Sequence, residues 1–384
     1  MSLLNKATII TTPTAHSNGV LHSIKGGSVA DFDVVRGSAA TRVNAEGLIE
    51  DVATNIPRID YTDGTASILL EPQSTNLITY SEDLGQAYWA DFGAETTRTL
   101  DSAVANPTGS LGAYKIEGAS GLRRFGIVQA VTPSTDYTLS FYVKNVDATL
   151  LKTIITNSSV SSYIFNSEVN STDWTRVEVN FTSSTGTTCI FQVTRDLPIG
   201  ESAYFWGLQL EEDTPATSYI PTSGAIATRL ADLVTGAGDA TTFNSTEGVL
   251  YFEGSALENG GVSRYISLSD NTTSNRLQIV YHANANRVSV GGTLVGTTLN
   301  DFSFVQTDNN KIAISYSALG IRVFINGALS MSNTVNASFP AGAPTTFDFA
   351  LWNQSTAPFF GKVKSVITFD TALTDEELEC LTTI

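Results

Sequence analysis

Carboxylates are the most plentiful reactive groups in this chain: 38 Asp and Glu residues stand beside only three histidines and two cysteines. Cleaving a glycosidic bond with them requires two carboxyls held at a defined separation, one with a raised pKa. The conspicuous acidic pairs sit elsewhere: Glu211-Glu212-Asp213 ends a strand pattern, Glu82-Asp83 falls in a turn, and Glu376-Glu377 opens a helix. Residues 240–384 contain no Glu-x-Asp-x-x-Glu run along one strand. These acids read as solvated or capping groups, and the chain is not expected to be an enzyme. His16, His22 and His282 lack metal-ligand spacing, and Cys189 and Cys380 are too isolated in sequence to suggest a disulfide framework. Asp270-Asn271 and Asp308-Asn309 are turn signatures rather than metal sites. No nucleophile elbow or phosphate loop occurs, and no cofactor or metal is expected.

A second chemistry fits better. Sugars are held by aromatic faces flanked by amides, carboxylates and cations that hydrogen-bond hydroxyls. On the outward side of the strands in the first half of the chain, Tyr142, Lys144, Gln192 and Gln209 supply such groups, with Arg124 near in sequence. In the second half, Arg322, Trp352 and Asn353 do so. The competing reading is that Tyr142 and Gln209 cover a sheet against a neighbouring domain or subunit.

Strands must position these residues. In Tyr137–Lys144, Tyr137, Leu139, Phe141 and Val143 face inward and alternate with Thr138, Ser140, Tyr142 and Lys144. Val177, Val179 and Phe181 repeat the pattern, as do Phe191 and Val193. In Tyr204–Glu212 the alternation puts Tyr204, Trp206, Leu208 and Leu210 on one side and Phe205, Gln209 and Glu211 on the other. The segment 214–224, with Pro215 and Pro221, must be extended or turning. Lys311–Tyr316 and Ile321–Gly327 predict a hairpin, with Asn326-Gly327 a strong turn signal. Thr374 and Glu377 predict a capping box on a short terminal helix docked by Leu378 and Leu381.

Length favours two or three domains, and 42% hydrophobic against 15% charged residues excludes a disordered chain. The formal charge of −17 argues against nucleic acid or an anionic membrane surface as partner. No apolar run reaches membrane-spanning length, and the first residues read as no secretory leader. The expected architecture is all-β: two tandem antiparallel β-sandwiches preceded by an extended N-terminal arm. Residues 1–75 form the arm, whose short apolar runs lack a core of their own and must lie against a partner or a following domain. Residues 76–230 form the first sandwich, 231–239 a linker and 240–384 the second sandwich.

Three groups of residues carry a family resemblance. The run Ala40-Thr41-Arg42-Val43-Asn44 through Glu50, with Pro57–Tyr61 and Leu69–Leu77, resembles the opening of bacteriophage virion proteins of the tail-fibre and head-fibre type. Tyr80–Leu84 with Trp206–Glu211 and Ser218–Thr222 is similar to a carbohydrate-binding-module-like jelly roll. Val323–Gly327, Phe360–Val363 and Leu373–Leu378 resemble the laminin-G/concanavalin A-like lectin sandwich. The resemblance implies a virion appendage protein, docked through its arm by Phe32, Arg36, Arg42, Leu48 and Ile49. It also implies other virion proteins as partners, assembly as a homotrimer, exposure on the particle and adhesion to host-surface glycans. A decoration or adaptor protein without glycan binding, and a polysaccharide depolymerase, are the alternatives.

Overall fold

The computed structural model describes residues 3–92, 95–294, 300–351 and 357–383. Its strands pair antiparallel, and its one α-helix among the described residues is Asp375–Thr382. The chain divides into two units: residues 1–47, 52–72 and 230–384 in one, residues 48–51 and 73–229 in the other.

In the first unit an 11-stranded sheet faces a five-stranded one. The larger sheet runs from Leu233–Thr235 through Phe32–Val35, Val20–Ser23, Ala7–Ser17, Gly361–Phe369, Glu247–Ala256 and Asn310–Ser317 to Gly320–Ile325 and Ala328–Asn333. Residues expected to form a docking arm are therefore built into this sheet, and the arm is corrected to an integral part of the sandwich. Ile9, Leu21, Phe32, Val34, Ile68 and Leu70 share one core with Leu250, Ile279, Ile312 and Val366. Their apolar runs look too sparse for a core because the remainder of that core is contributed by residues far along the chain. The expected linker 231–239 is likewise corrected, since Leu233–Thr235 pairs with Asp33–Val35.

The expected docking residues disperse. Phe32 and Arg36 are fully buried, Ile49 is nearly so, Arg42 is half-buried and Leu48 is exposed. Arg36 belongs to a buried ion network instead. Its Nη1 donates to Asp232 Oδ1 at 3.0 Å, Arg58 Nη1 donates to Glu71 Oε2 at 2.7 Å, and Arg58 Nη2 also reaches Asp232. Burial works against the Arg58 charge, but Glu71 and Asp232 outweigh it and hold the guanidinium above its ordinary pKa. The Asp232 N–H donates to the Glu71 carbonyl at 3.0 Å. The same network thus holds Glu71 and Asp232, far apart in sequence, side by side within the first unit.

The predicted hairpin forms between Asn310–Ser317 and Gly320–Ile325, and Asn326-Gly327 makes the next turn, to Ala328–Asn333. Both turn residues have positive φ, 50° and 81°, the conformation a two-residue hairpin turn needs. The terminal helix carries its capping box on Thr374 and Glu377, and buries Leu378.

The second unit packs two five-stranded sheets. One has the order Thr96–Ala105, Leu111–Gly118, Ser202–Glu212, Asp136–Asn145, Thr175–Thr182. The other has the order Tyr163–Ile164, Lys152–Ile155, Thr188–Thr194, Phe125–Ala130, Ala90–Asp91. Between them lie the expected core residues Tyr137, Leu139, Phe141, Val143, Val177, Val179, Phe181, Phe191 and Val193. The Ser202–Glu212 strand departs from simple alternation. Gly207 and Leu208 together oppose Phe141, a β-bulge that inverts the side-chain parity. Phe205, Leu208 and Leu210 enter the core, while Tyr204, Trp206, Gln209 and Glu211 all lie on the outer face. Gly207 permits this with φ 64°, and a Cβ there would meet the Tyr142 and Tyr219 rings at 3.2 and 3.3 Å.

Candidate functional site

The outer face of the sheet containing Asp136–Asn145 collects most of the aromatic and polar groups that glycan recognition needs. Register arranges them in rungs. Thr138 pairs with Glu211 and Ser140 with Gln209, next come Arg176, Tyr142 and Trp206, and then Lys144 with Tyr204, which also pairs with Lys115. Trp174 immediately precedes Thr175, which pairs with Val143 at the end of that ladder.

Half of this face is closed by the chain itself. The segment after Glu212 folds back across it, placing Tyr219 on Trp206 with ring centroids 4.6 Å apart. The Gln209 amide donates to Glu211 Oε2 at 2.7 Å and to the carbonyls of Thr217 and Ser218, and its Oε1 accepts the Ile220 N–H at 2.6 Å. Glu211 accepts from the Thr217 N–H at 3.0 Å, from the Thr217 hydroxyl, and from Ser74 Oγ at 2.6 Å. Gln209, Glu211 and Trp206 are all at least 98% buried. Gln209, expected as a ligand contact, is therefore corrected to a strut that satisfies the returning backbone.

The other half is more exposed, with Tyr142 and Trp174 packing in part against Ile49, Trp206 and Tyr219. Tyr142, Trp174, Lys144, Tyr204 and Arg176 are half-buried, with part of each side chain in solvent. Arg176 lies over the Tyr142 ring, 5.8 Å from its centroid, and is pinned by donation from Nη2 to Ser140 Oγ and the Thr217 carbonyl. Trp174 Nε1 donates to the Ala105 carbonyl at 2.9 Å, fixing one edge of the indole. The Tyr204 hydroxyl donates to Asp101 Oδ2 at 2.8 Å. The Ala103 N–H and that hydroxyl hold the Asp101 carboxyl below its ordinary range, whereas burial and then Asp101 push the Tyr204 phenol up. Three rings and two cations on or beside three adjacent strands, with the Asp101 carboxylate two strands from Tyr204, can stack on pyranose faces and exchange hydrogen bonds with hydroxyls.

Of the sequence candidates, only Tyr142 and Lys144 fall together on this open surface. Gln192 lies on the outer side of the opposite sheet, buried, with its Oε1 accepting from Arg195 at 2.9 Å. Arg124 is engaged by Glu95 through two hydrogen bonds, at 2.9 and 3.0 Å, which lower the Glu95 carboxyl to about 2. Arg322 belongs to the first unit, exposed and ion-paired with Asp375. Trp352 and Asn353 lie outside the described residues. Trp174 and Tyr204 escaped the sequence reading. The parity of Trp174 with Arg176 was available as a signal, whereas Tyr204 was hidden by the bulge.

The first unit offers a contrast. On the outer side of its five-stranded sheet, Ser267, Ser269, Gln278 and Asp348 are all at least 98% buried. Burial pushes the Asp348 carboxyl up to about 6, against hydrogen bonds from Thr346 Oγ1 and the Gly236 N–H. Asp270, considered for metal, closes a turn by accepting from Thr272 N and Asn275 Nδ2. Among the described residues no group of three His, Cys, Asp or Glu is placed to hold a metal ion.

Residues 80–197 match a family model described as a carbohydrate binding domain. No curated protein matches the sequence. Among solved structures, the chain is similar to the CBM40 of the Ruminococcus gnavus IT-sialidase bound to α2,3 sialyllactose, at 17% identity and a TM-score of 0.32, over 39% of this chain and 92% of that one. It is also similar to domain 4 of AbnA, a GH43 arabinanase from Geobacillus stearothermophilus in complex with arabinotriose. That match has 14% identity and a TM-score of 0.31, over 44% of this chain and 83% of the other. The leech intramolecular trans-sialidase is similar at 16% identity and a TM-score of 0.32, over 39% of this chain and 26% of the enzyme.

Proposed function

We propose that the protein is a non-enzymatic glycan-binding adhesin that grips oligosaccharides on the open surface formed by Tyr142, Trp174, Lys144, Tyr204 and Arg176. The observation that carries this reading is the division of one sheet face. Chain folded back over the Gln209 half satisfies its polar groups, while the adjoining half keeps three anchored rings and two cations in contact with solvent. The carbohydrate binding domain match over residues 80–197 spans Tyr142, Lys144, Trp174 and Arg176, and so supports the same assignment.

The resemblance of 40–50, 57–61 and 69–77 to bacteriophage virion proteins extends the proposal: the protein is an appendage component of a phage particle, displayed for host-surface glycans and assembled as a homo-oligomer. Docking to the particle does not then use a free arm, because residues 7–35 and 59–70 are built into the sheet and core of the first unit.

Glycan-array binding followed by titration tests the site. Trp174→Ala and Tyr142→Ala should each weaken binding about fivefold or more, since ring stacking contributes on the order of 1 kcal/mol or more per face. Wild-type affinity retained in both variants would remove the site from consideration.

A further inference from the structure

Lys144 is the unusual member of the open face. The chain carries 21 Lys and Arg against 38 Asp and Glu, and four of its eight lysines, Lys6, Lys115, Lys152 and Lys362, meet a carboxylate. Lys115 is 3.3 Å from Glu117, Lys152 is 2.5 Å from Asp196, and Lys362 is 2.7 Å from Asp63. Among the described residues no carboxylate lies within ion-pair distance of the Lys144 ammonium, although Lys144 is half-buried and pairs with Tyr204 on the neighbouring strand. A lysine held part-way out of water without a counter-ion is less favourable than a paired one, and a bound anion would supply the missing partner.

The neighbouring charges restrict what that anion can be. Beyond Tyr204 lies Asp101, joined to its hydroxyl at 2.8 Å. On the next rung Arg176 has Glu178 at 3.6 Å, and Lys115 on the Tyr204 side has Glu117. Positive charge is thus uncompensated at one point, with carboxylates set around it. A polyanion laid along the rungs would gain at Lys144 and be repelled at Asp101, Glu117 and Glu178.

We infer that the ligand of this face is an oligosaccharide bearing one isolated anionic substituent, a carboxylate or a sulfate, flanked by uncharged sugars. The anionic group meets the Lys144 ammonium while the neutral rings beside it stack on Trp174 and Tyr204. This inference rests on the proposed glycan site and specifies its substrate class.

Matched probes test it: neutral oligosaccharides, the same oligosaccharides carrying one uronic acid, the same carrying one sulfate ester, and oligomers made only of uronic acid. Titration of the full chain at low salt should give about fivefold tighter binding for a singly charged probe than for its neutral counterpart, the scale of one partly screened ion pair. The ratio should fall toward one in Lys144→Gln and also at about 0.5 M salt, where the screening length is a few ångströms. A melting curve should confirm that Lys144→Gln is folded. The uronate and sulfate arms distinguish the source of the charge. Equal affinity for charged and neutral probes, a ratio unchanged in Lys144→Gln, or a preference for the all-uronate oligomer would each overturn the inference while leaving the glycan site standing. Binding of no probe by wild type, with Trp174→Ala indistinguishable from it, would overturn the underlying glycan reading, and the inference with it.

Discussion

The two halves of one sheet face in the second unit are made from similar residues and serve opposite ends. Around Gln209, Glu211, Trp206 and Tyr219, the Gln209 and Glu211 side chains hydrogen-bond the returning chain and all four residues are buried. Around Tyr142, Trp174, Lys144 and Tyr204, the side chains are only half-buried: Trp174 and Tyr204 are each anchored by one hydrogen bond, and Tyr142 and Trp174 pack in part against Ile49, Trp206 and Tyr219. The same chemistry holds the protein together where the chain covers it and is left for a ligand where the chain does not. Amphipathic side chains alone do not mark a site; what decides is whether their polar ends are already spent internally.

If buried polar residues are structural and half-exposed ones are for ligand, substitutions should separate stability from binding. The largest loss is expected for Arg58→Ala, which leaves Glu71 and Asp232 buried without their shared guanidinium. Breaking a buried pair costs about 3–5 kcal/mol, measurable as a drop in the denaturant midpoint of the first unit, and a change under about 1 kcal/mol would contradict the network's role.

Next is the pH dependence set by Asp348, whose carboxyl burial raises to about 6. A raised acid pKa means that the folded state takes up protons more readily than the unfolded one. Stability from this group is therefore greatest below about pH 4 and declines as pH rises to about 6, by on the order of 3 kcal/mol in total. Asp348→Asn should flatten the melting profile over that window while leaving glycan titrations unchanged; an unaltered slope would refute the assignment.

Gln209→Ala should cost about 1–3 kcal/mol by stranding the Ile220 N–H and neighbouring carbonyls. Any loss of glycan affinity should follow only from loosening of the segment that covers it. A variant with full stability and abolished binding would reverse the division between the two halves.

Lys144→Ala should shift stability by no more than about 0.5 kcal/mol, as an unpaired surface position does. Chemical denaturation checks this, and a loss above about 1 kcal/mol would place Lys144 with the structural set.

Much of the fold was readable because strand periodicity is a local property. Tyr137–Lys144, Val177–Phe181, the Asn326-Gly327 turn and the Thr374–Glu377 capping box all stand as their spacing indicates. Alternation placed Tyr142, Lys144, Gln209 and Gln192 on outer faces, but it could not show that the returning chain covers Gln209 or that Gln192 lies on the opposite sheet. Simple alternation groups Tyr204 and Trp206 with Leu208 and Leu210, whereas the Gly207 bulge inserts one residue and puts them on opposite faces. A glycine in a strand hints at such a bulge but does not require one.

Local pattern by itself therefore determined the class of the protein: antiparallel strands, their inward faces, the turns and the single capped helix. Only the tertiary structure decided that residues 1–72 complete a sandwich with residues 230–384, and which half of a polar sheet face stays open. Both outcomes depend on pairings between residues far apart in sequence, such as Ile9 with Thr368 and Ser140 with Gln209. The free energy of such a pairing belongs to the two surfaces brought together, and neither segment carries it alone.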